Sequence, residues 1–434
     1  MKMIVVVARR TTACSVLLVA AMAVAAQEQD AKIAVAEGEL RVKAGYEDRG
    51  ASFGSPNTSS RLLVEEDIRT EPLLRFPQID DSMEGWYDFK TQVNEEHGFR
   101  FGIDYTAWYQ QLSDSLTGDD WAASGIFRVY GEWQPFHRQD KSAGRLVLMV
   151  DNRHKVGSDI TAVNLGAEAG YIGQTATLFN DIGWQVINFN WQQDLGDGSG
   201  GLIAGRFDPS DYVSVLGYAN PWTTFANLAS LLNKAMAFPD ASWGIGGGSW
   251  LGDENWYVKG SINDANGTLT NYEFFEGGSE FYYWGEVGWS PSRSQRYTTN
   301  IHLAAWHVDE REDLGLVSAE GVTIGGNWTS KDERWMLFGR AGWADGDSAV
   351  YQESYTLGFM RKFRRNADLL GLAVDWGDPP QDDLEAQTTG ELFYRLQLAE
   401  NLALTPNVQL LKDPALNNQE DAVWVTGLRI RFTL

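Results

Sequence analysis

The stretch VTGLRIRFTL, residues 425–434, decides the class of fold. Apolar and polar residues alternate along it, as they do on the two faces of a β-strand. One face carries Leu428, Ile430, Phe432 and Leu434, and the other carries Arg429, Arg431 and Thr433. Chain ends are usually frayed and polar. A chain that keeps strand alternation up to its last residue predicts a closing strand whose two faces meet different solvents.

The same alternation recurs along the chain from Phe99 onward. In FRFGIDYTAWYQ, residues 99–110, it separates an apolar row from a mostly polar one. Repeated alternation over about ten residues predicts half-buried β-strands. About sixteen such segments are predicted, at residues 98–111, 121–134, 143–153, 183–193, 200–208, 242–251, 254–263, 279–290, 296–308, 317–329, 333–344, 350–362, 367–378, 386–399, 401–412 and 421–434. Helices do not alternate with these strands, so the predicted fold class is all-β and antiparallel.

The region before the strands is organised differently. Residues 27–81 are weakly patterned and are predicted to form a flexible N-terminal segment. A short helix is predicted at 82–97, because Asp81 and Glu84 resemble a capping box and Gly98 can end the helix. The strand region then extends over 98–434.

The first 26 residues have the pattern of a secretory signal peptide. Basic residues precede a short apolar run that ends in small residues at Ala25 and Ala26. The run is shorter than a bilayer-spanning helix, which argues against the alternative of a membrane anchor. Cys14 is the only cysteine and precedes the apolar run, so a lipid-attached protein is not favoured. The exported chain is therefore predicted to contain no disulfide.

Charge and motifs exclude several classes of function. The signal holds three of the 35 Lys and Arg and none of the 59 Asp and Glu, so its removal leaves a formal charge of −27 (32 minus 59). This acidity argues against nucleic acid as a partner. Catalytic, metal-binding and cofactor motifs are missing, so no enzyme activity, metal or cofactor is expected. The basic cluster RKFRR at 361–365 is interpreted as a turn or strand end rather than a binding site.

Two interpretations of the strands differ in the solvent that meets the apolar face. In a secreted, soluble glycan-binding β-protein, that face would form a dry core. In a transmembrane barrel, it would face lipid while the polar face lines a wet lumen. Strands of about ten residues fit a tilted membrane span. Interfacial aromatic girdles would account for Trp133, Trp191, Trp256, Trp289, Trp343 and Trp376. The pattern favours a transmembrane antiparallel barrel of about sixteen strands, closed last to first because an open edge in hydrocarbon leaves backbone groups unpaired.

The chain resembles the carbohydrate-selective porins of the OprB type over most of residues 86–434. The resemblance is carried by WYDFKTQVNEEHGFRFGIDYTAWYQ (86–110), GGLIAGRFDPSDY (200–212), NPWTTFANL (220–228), INDANG (262–267) and the stretch 401–434. It implies a sixteen-stranded barrel in the bacterial outer membrane through which sugars and other small hydrophilic solutes diffuse passively. A general or organic-acid-preferring porin on the same fold is the alternative. Further expected partners are membrane lipid, lipopolysaccharide and the barrel-assembly machinery, and a homo-oligomer is left open.

A sugar-preferring pore needs hydrogen-bonding groups for hydroxyls and flat apolar surfaces for C–H faces. Binding must also stay weak enough for release. Alternation gives these candidates for pore lining and solute contact: Arg100, Asp104, Trp108, Arg128, Tyr130, Glu132, Asn188, Asn190, Arg206, Asp208, Lys259, Asn263, Glu286, Arg340, Arg395 and Arg429. Arg128 with Glu132, and Arg206 with Asp208, are favoured because each pair projects from one strand towards one face. The alternative is a wetted wall of cross-strand ion pairs.

The long connection 209–241 is predicted to fold inward and narrow the lumen, with an extracellular cap or a subunit contact as alternatives. Its stretch FANLASLLNKAM, residues 225–236, predicts a short helix. The acidic residues have two interpretations. They would bind cations that bridge lipopolysaccharide, or they would line the lumen and disfavour anions.

Overall fold

The computed structural model describes residues 42–47, 53–136, 142–196, 198–252, 255–274, 279–346, 348–364 and 367–434. The predicted signal peptide lies outside the described residues. Sixteen antiparallel strands form one closed barrel in which each strand pairs with its sequence neighbours and the last pairs with the first. The predicted all-β barrel is confirmed.

The strand bounds differ from the predicted ones by at most three residues. The strands are β1 (Phe99–Leu112), β2 (Trp121–Trp133), β3 (Gly144–Lys155), β4 (Gly183–Leu195), β5 (Gly200–Phe207), β6 (Ser242–Leu251), β7 (Trp256–Asp264), β8 (Phe281–Trp289), β9 (Thr299–Val308), β10 (Ala319–Thr329), β11 (Trp335–Asp345), β12 (Glu353–Phe363), β13 (Asp368–Asp378), β14 (Gln387–Ala399), β15 (Leu402–Lys412) and β16 (Ala422–Thr433).

The closing strand has the predicted orientation. Strand β16 pairs with β1, with Phe432 opposite Tyr105. On the outer face, Ile430 and Phe432 are 40% and 42% exposed, whereas on the inner face Arg429 and Arg431 are 1% and 6% exposed. Apolar side chains therefore point away from the barrel axis and cationic ones point inward, which is the reverse of a soluble β-core.

A β-bulge at the start of β4 reverses one predicted face. Asn188 lies opposite Met149 and Val186 lies opposite Val150, so Ile187 has no partner in the register. Alternation predicts that Ile187 faces lipid. It instead packs inside the barrel and is 6% exposed, because the extra residue shifts the two-residue period.

The two ends of the barrel differ. At one end, where β1 begins and β16 ends, most connections are short, such as 330–334 and 400–401. At the other end lie the long connections, including 156–182 and 208–241. We call these the short-turn end and the long-loop end.

The helices of the described residues are α1 (Ser59–Asp67), α2 (Pro77–His97), α3 (Leu165–Glu168) and α4 (Leu228–Leu231), with 3-10 turns at Pro209–Asp211, Arg293–Gln295 and Glu312–Leu314. Helix α2 begins five residues before its predicted start, with Pro77 in its first turn. It ends at Gly98, which has a φ of 69°. None of these helices is long and apolar enough to cross a membrane.

Part of the segment 27–81, predicted to be flexible, forms helix α1 and the first turns of α2. Helix α1 lies inside the barrel, with Leu62 and Leu63 only 1% and 2% exposed. Its polar residues find partners on the lumen wall, as Ser60 does with Glu132.

Candidate functional site

The connection after β5, residues 208–241, folds into the barrel, and we call it the lumen loop. Backbone groups placed there need hydrogen-bond partners, and side chains of the wall supply them. On β8, Glu286 accepts the Ser214 N–H at 2.7 Å. On β10, the Asn327 side chain accepts the Gly217 N–H at 3.2 Å. One side of the lumen loop is thus fixed to the wall through its backbone.

Arg340 on β11 holds the middle of the lumen loop. Its guanidinium donates to the carbonyl oxygens of Ala229, Ser230 and Leu231 at 3.0, 2.9 and 2.7 Å. Hydrogen bonds from a charged donor are stronger than neutral ones. Arg340, predicted to contact solute, therefore acts as an anchor of the lumen loop.

The far side of the lumen loop is held by charged groups of both signs. Glu391 on β14 accepts the N–H groups of Ala226 and Asn227 at 2.6 and 3.1 Å. Arg429 on β16 donates to the carbonyl of Thr224 at 2.6 Å and also to that of Pro221. Arg429 is thus a second predicted lining residue whose donors are taken by the lumen loop.

Apolar side chains also hold the lumen loop against the barrel wall. The Phe225 ring lies 5.7 Å from the Phe338 ring and 4.9 Å from the Phe393 ring, both in edge-to-face geometry. The predicted helix at 225–236 is reduced to α4, because Leu232 adopts an extended conformation. The carbonyls of α4 are bound by the wall instead of by a further helical turn.

The favoured pair Arg128 and Glu132 is not brought together as an ion pair. Arg128 pairs with Asp104, whereas Glu132 pairs with Arg100 and lies 3.6 Å from Arg145. Both are inward-facing and at most 1% exposed. Each carries a charge that a neighbouring wall strand neutralises, so the interpretation as cross-strand ion pairs fits them better.

The second favoured pair also separates. Arg206 donates to three backbone carbonyls, among them those of Thr268 and Asn271 at 2.6 and 3.0 Å. Asp208 lies just beyond β5 and accepts the Ser210 N–H at 2.9 Å. Burial and the nearby Asp211 raise the pKa of Asp208 to about 7. Through its hydrogen bond from the Ser210 N–H, Asp208 caps the 3-10 turn at the start of the lumen loop.

The other strand-borne candidates face inward as predicted, although most are covered by chain segments within the lumen. Lys259 pairs with Glu286 at 3.1 Å. Arg395 keeps a partly exposed side chain. Buried below a tenth of their area are Trp108, Tyr130, Asn188, Asn190 and Asn263. Their contact with solute stays a prediction. In the described part of the chain, no group of three or more His, Cys, Asp or Glu could hold a metal ion.

A cavity of about 310 Å³ lies inside the barrel on the side of β12 to β16, bounded by α1, the lumen loop and the wall. We call it the vestibule. Its lining includes Glu65 and Glu66 of α1 and, from the wall, Lys362, Arg395 and Arg431. Arg431 forms an ion pair with Glu66. Lys43 and Arg69 also line the vestibule beside α1, and Glu400 lines it from the turn between β14 and β15, so carboxylates and cations alternate around one space.

An aromatic residue of the lumen loop also lines the vestibule. The Lys362 ammonium lies 5.2 Å from the centre of the Tyr218 ring. Among the described residues, the buried Tyr218 hydroxyl has no hydrogen-bond partner. The vestibule thus combines charged donors and acceptors with an aromatic face.

Sequence reasoning missed several of these vestibule residues. Lys362 belongs to the cluster interpreted as a turn or strand end, and it does lie near the end of β12. Alternation along β12 also places it on the inner face and could have found it. Glu65, Glu66 and Tyr218 have no such signal, because they lie outside the strands.

Comparisons with known proteins agree with this architecture. Residues 322–434 match the family model "Carbohydrate-selective porin, OprB family". The comparison with curated proteins gave no match. The high-pH structure of Pseudomonas putida OprB matches with 14% identity and a TM-score of 0.66, over 80% of this chain and 97% of that one.

Two further solved structures are less similar in shape. The low-pH structure of Pseudomonas putida OprB has 15% identity and a TM-score of 0.47, over 80% of this chain and 96% of that one. A mutant of Rh. blastica porin has 14% identity and a TM-score of 0.48, over 77% and 100% of the two chains. The chain is thus similar to a porin in its fold, and the expected resemblance to the carbohydrate-selective OprB porins is confirmed over residues 322–434.

Proposed function

We propose that this chain is an outer-membrane porin that lets small hydrophilic solutes, with a preference for sugars, diffuse passively into the periplasm. The observation that carries the proposal is a closed barrel with apolar rows outside and charged rows inside, whose residues 322–434 match a carbohydrate-selective family. Short turns face the periplasm in bacterial barrels. By that rule, the short-turn end of this barrel is periplasmic.

The vestibule supplies the chemistry for an uncharged, hydroxylated solute. Carboxylates of α1 accept hydrogen bonds, while Lys362 and Arg395 of the wall donate them. Tyr218 offers a flat ring for C–H contacts. Donors and acceptors of both signs lie around the vestibule, so each hydroxyl group of a polar neutral solute meets a partner there. Passage also requires that these contacts be weak enough for release.

The organic-acid alternative finds three of its cationic candidates occupied, which leaves Lys362 and Arg395 of the vestibule as donors for an anion. A pore for anions needs cationic groups with free donors. Arg206, Arg340 and Arg429 direct theirs to backbone carbonyls. The soluble glycan-binding alternative would leave the outer apolar rows in water, at a high cost in hydration free energy.

Liposome swelling with a panel of monosaccharides, disaccharides and organic acids tests the proposal. We expect faster swelling with neutral sugars than with carboxylates of similar size. Single-channel current should be reduced by sugar in a concentration-dependent way, and Arg395→Ala should weaken that block. A channel blocked by organic acids and never by sugars would refute the sugar preference.

The remaining partners are proposed on the same basis. The outer apolar rows fit membrane lipid, and β16 fits recognition by the barrel-assembly machinery. The acidic loops fit lipopolysaccharide bridged by divalent cations. Cross-linking in detergent measures the oligomeric state.

A further inference from the structure

Residues 53–67, which we call the strap, run inside the barrel and end in α1. The strap begins against the wall at β6 and β7. The Phe53 ring lies 6.3 Å from the Trp250 ring and 6.2 Å from the Tyr257 ring. A Cβ atom on Gly248 would lie 3.0 Å from the Phe53 ring. The glycine-rich strand β6 therefore leaves room for this ring.

The other end of the strap is held at a distant part of the wall. The Ser60 hydroxyl donates to Glu132 of β2 at 2.7 Å. Glu66 accepts hydrogen bonds from the Tyr130 hydroxyl of β2 and from Arg431 of β16. In the ring of sixteen strands, β7 and β16 are seven positions apart, close to the eight that separate opposite strands. The strap therefore crosses the bore of the barrel.

The middle of the strap is tied to the lumen loop. Ser55 and Asn57 donate to the Asp211 carboxylate at 3.0 and 3.1 Å. The Trp222 indole donates to the Asn57 side chain. These bonds join two segments that enter the lumen from different ends of the barrel.

The connection between β8 and β9 fixes the start of the strap. The Arg296 guanidinium donates to the carbonyl oxygens of Phe53 and Gly54 at 3.1 and 2.8 Å. Arg296 is 4% exposed. A buried cation whose donors reach backbone carbonyls fixes a segment strongly, so this contact is the best single place to release the strap.

We propose that the strap is a second constriction element, which sets the size limit for solutes together with the lumen loop. The lumen loop is anchored to β8, β10, β11, β14 and β16, and the strap contacts the wall at β2, β6, β7 and β16. Porin barrels of about 16–18 strands leave an aqueous channel, so a segment that crosses this bore narrows it. This inference rests on the proposed pore function. It assigns part of the size selectivity to the strap, which lies outside residues 322–434, the range that matches the porin family model.

Planar-bilayer conductance in potassium chloride tests this role without depending on sugar. One variant combines Arg296→Met with Tyr297→Phe, which removes the guanidinium donors and the Tyr297 hydroxyl that donates to the Gly54 carbonyl at 2.7 Å. The other, Arg334→Met, is a control in the exposed turn 330–334. A helix with its side chains is about 10 Å wide, so release of the strap should raise conductance at least about twofold. Trisaccharide entry into liposomes should rise in parallel. The control should behave as wild type.

Phe53→Ala gives a second release that keeps every charge, in case the double variant of Arg296 and Tyr297 does not assemble. A bifunctional thiol reagent across Asn57→Cys and Asp211→Cys, added to the double variant, should return conductance towards wild type. Unchanged conductance and size limit in an assembled double-variant or Phe53→Ala barrel would overturn the strap proposal. Wild-type channels that conduct ions but never admit or bind sugar would instead refute the proposed function.

Discussion

A substitution on the outer face of β12 can measure directly whether lipid or water surrounds the barrel. Leu357 lies near the middle of the strand and is 72% exposed, more than any other large apolar residue in the described part of the chain. Replacing it with arginine places a charge where the barrel predicts hydrocarbon. In a water-soluble protein the same change would alter the free energy of unfolding by only about 0.5 kcal/mol in either direction.

The magnitude follows from depth. Leu357 is four residues along the strand from Glu353, where β12 begins. At about 3.4 Å per residue and about 40° tilt, this separation is about 10 Å of membrane depth. Arginine at the bilayer midplane costs about 2–4 kcal/mol, and near the interface about 0–1 kcal/mol. Leu357→Arg should therefore lower the folding equilibrium constant roughly 30- to 1000-fold, while Glu353→Arg on the same face should change it far less.

Reversible urea unfolding in lipid vesicles, followed by the heat-dependent shift of the folded barrel on gels, measures both variants. Wild type and Glu353→Arg should have similar midpoints, and Leu357→Arg should unfold at lower urea. Equal midpoints for all three proteins would show that the apolar row does not face hydrocarbon. The proposed membrane location would then fail, together with the porin function.

Three further predictions concern the lumen loop. Arg340→Leu removes three charge-assisted hydrogen bonds, each worth about 1.5–3 kcal/mol, so single-channel records should show frequent current fluctuations that the exposed control Arg334→Leu lacks. Gly217→Ala would place a methyl carbon 1.6 Å from the Tyr297 carbonyl oxygen, so it should displace the lumen loop and lower thermal stability, which a temperature series of gel shifts measures. The pKa of Asp208 is raised to about 7, so its contribution is fully present below about pH 4 and is lost as pH rises through 7. Asp208→Asn should thus raise the urea midpoint at pH 8 and leave it unchanged at pH 4, and an equal effect at both values would contradict this ionisation.

The strand pattern and the closed barrel could be predicted from the sequence because both depend on local periodicity. A strand alternates its side chains between two faces, and hydrocarbon permits no open edge. The paired rows of β16, with Arg429 inside and Ile430 outside, follow from these two facts alone. The inward direction of Arg128, Lys259 and the other strand-borne candidates follows in the same way. Ile187 was mispredicted, because one inserted residue reverses the alternation without changing composition.

The role of each inward group could not be predicted in this manner. Arg340 and Arg429 look like free lining residues until the lumen loop, more than 100 residues earlier in the chain, brings carbonyl oxygens to them. The alternation of a strand says nothing about which distant backbone will occupy the lumen. The same holds for Glu65, whose segment carries no strand pattern and yet lines the vestibule.

Sequence by itself therefore determined the barrel, its inner and outer faces and the closing pair of strands, since these depend on neighbours along the chain and on the solvent. Only the tertiary structure decided which charges are consumed in holding the lumen loop and the strap, and which line the vestibule. Backbone groups enclosed in the lumen must find partners wherever the wall offers them, and that matching joins residues far apart in the chain.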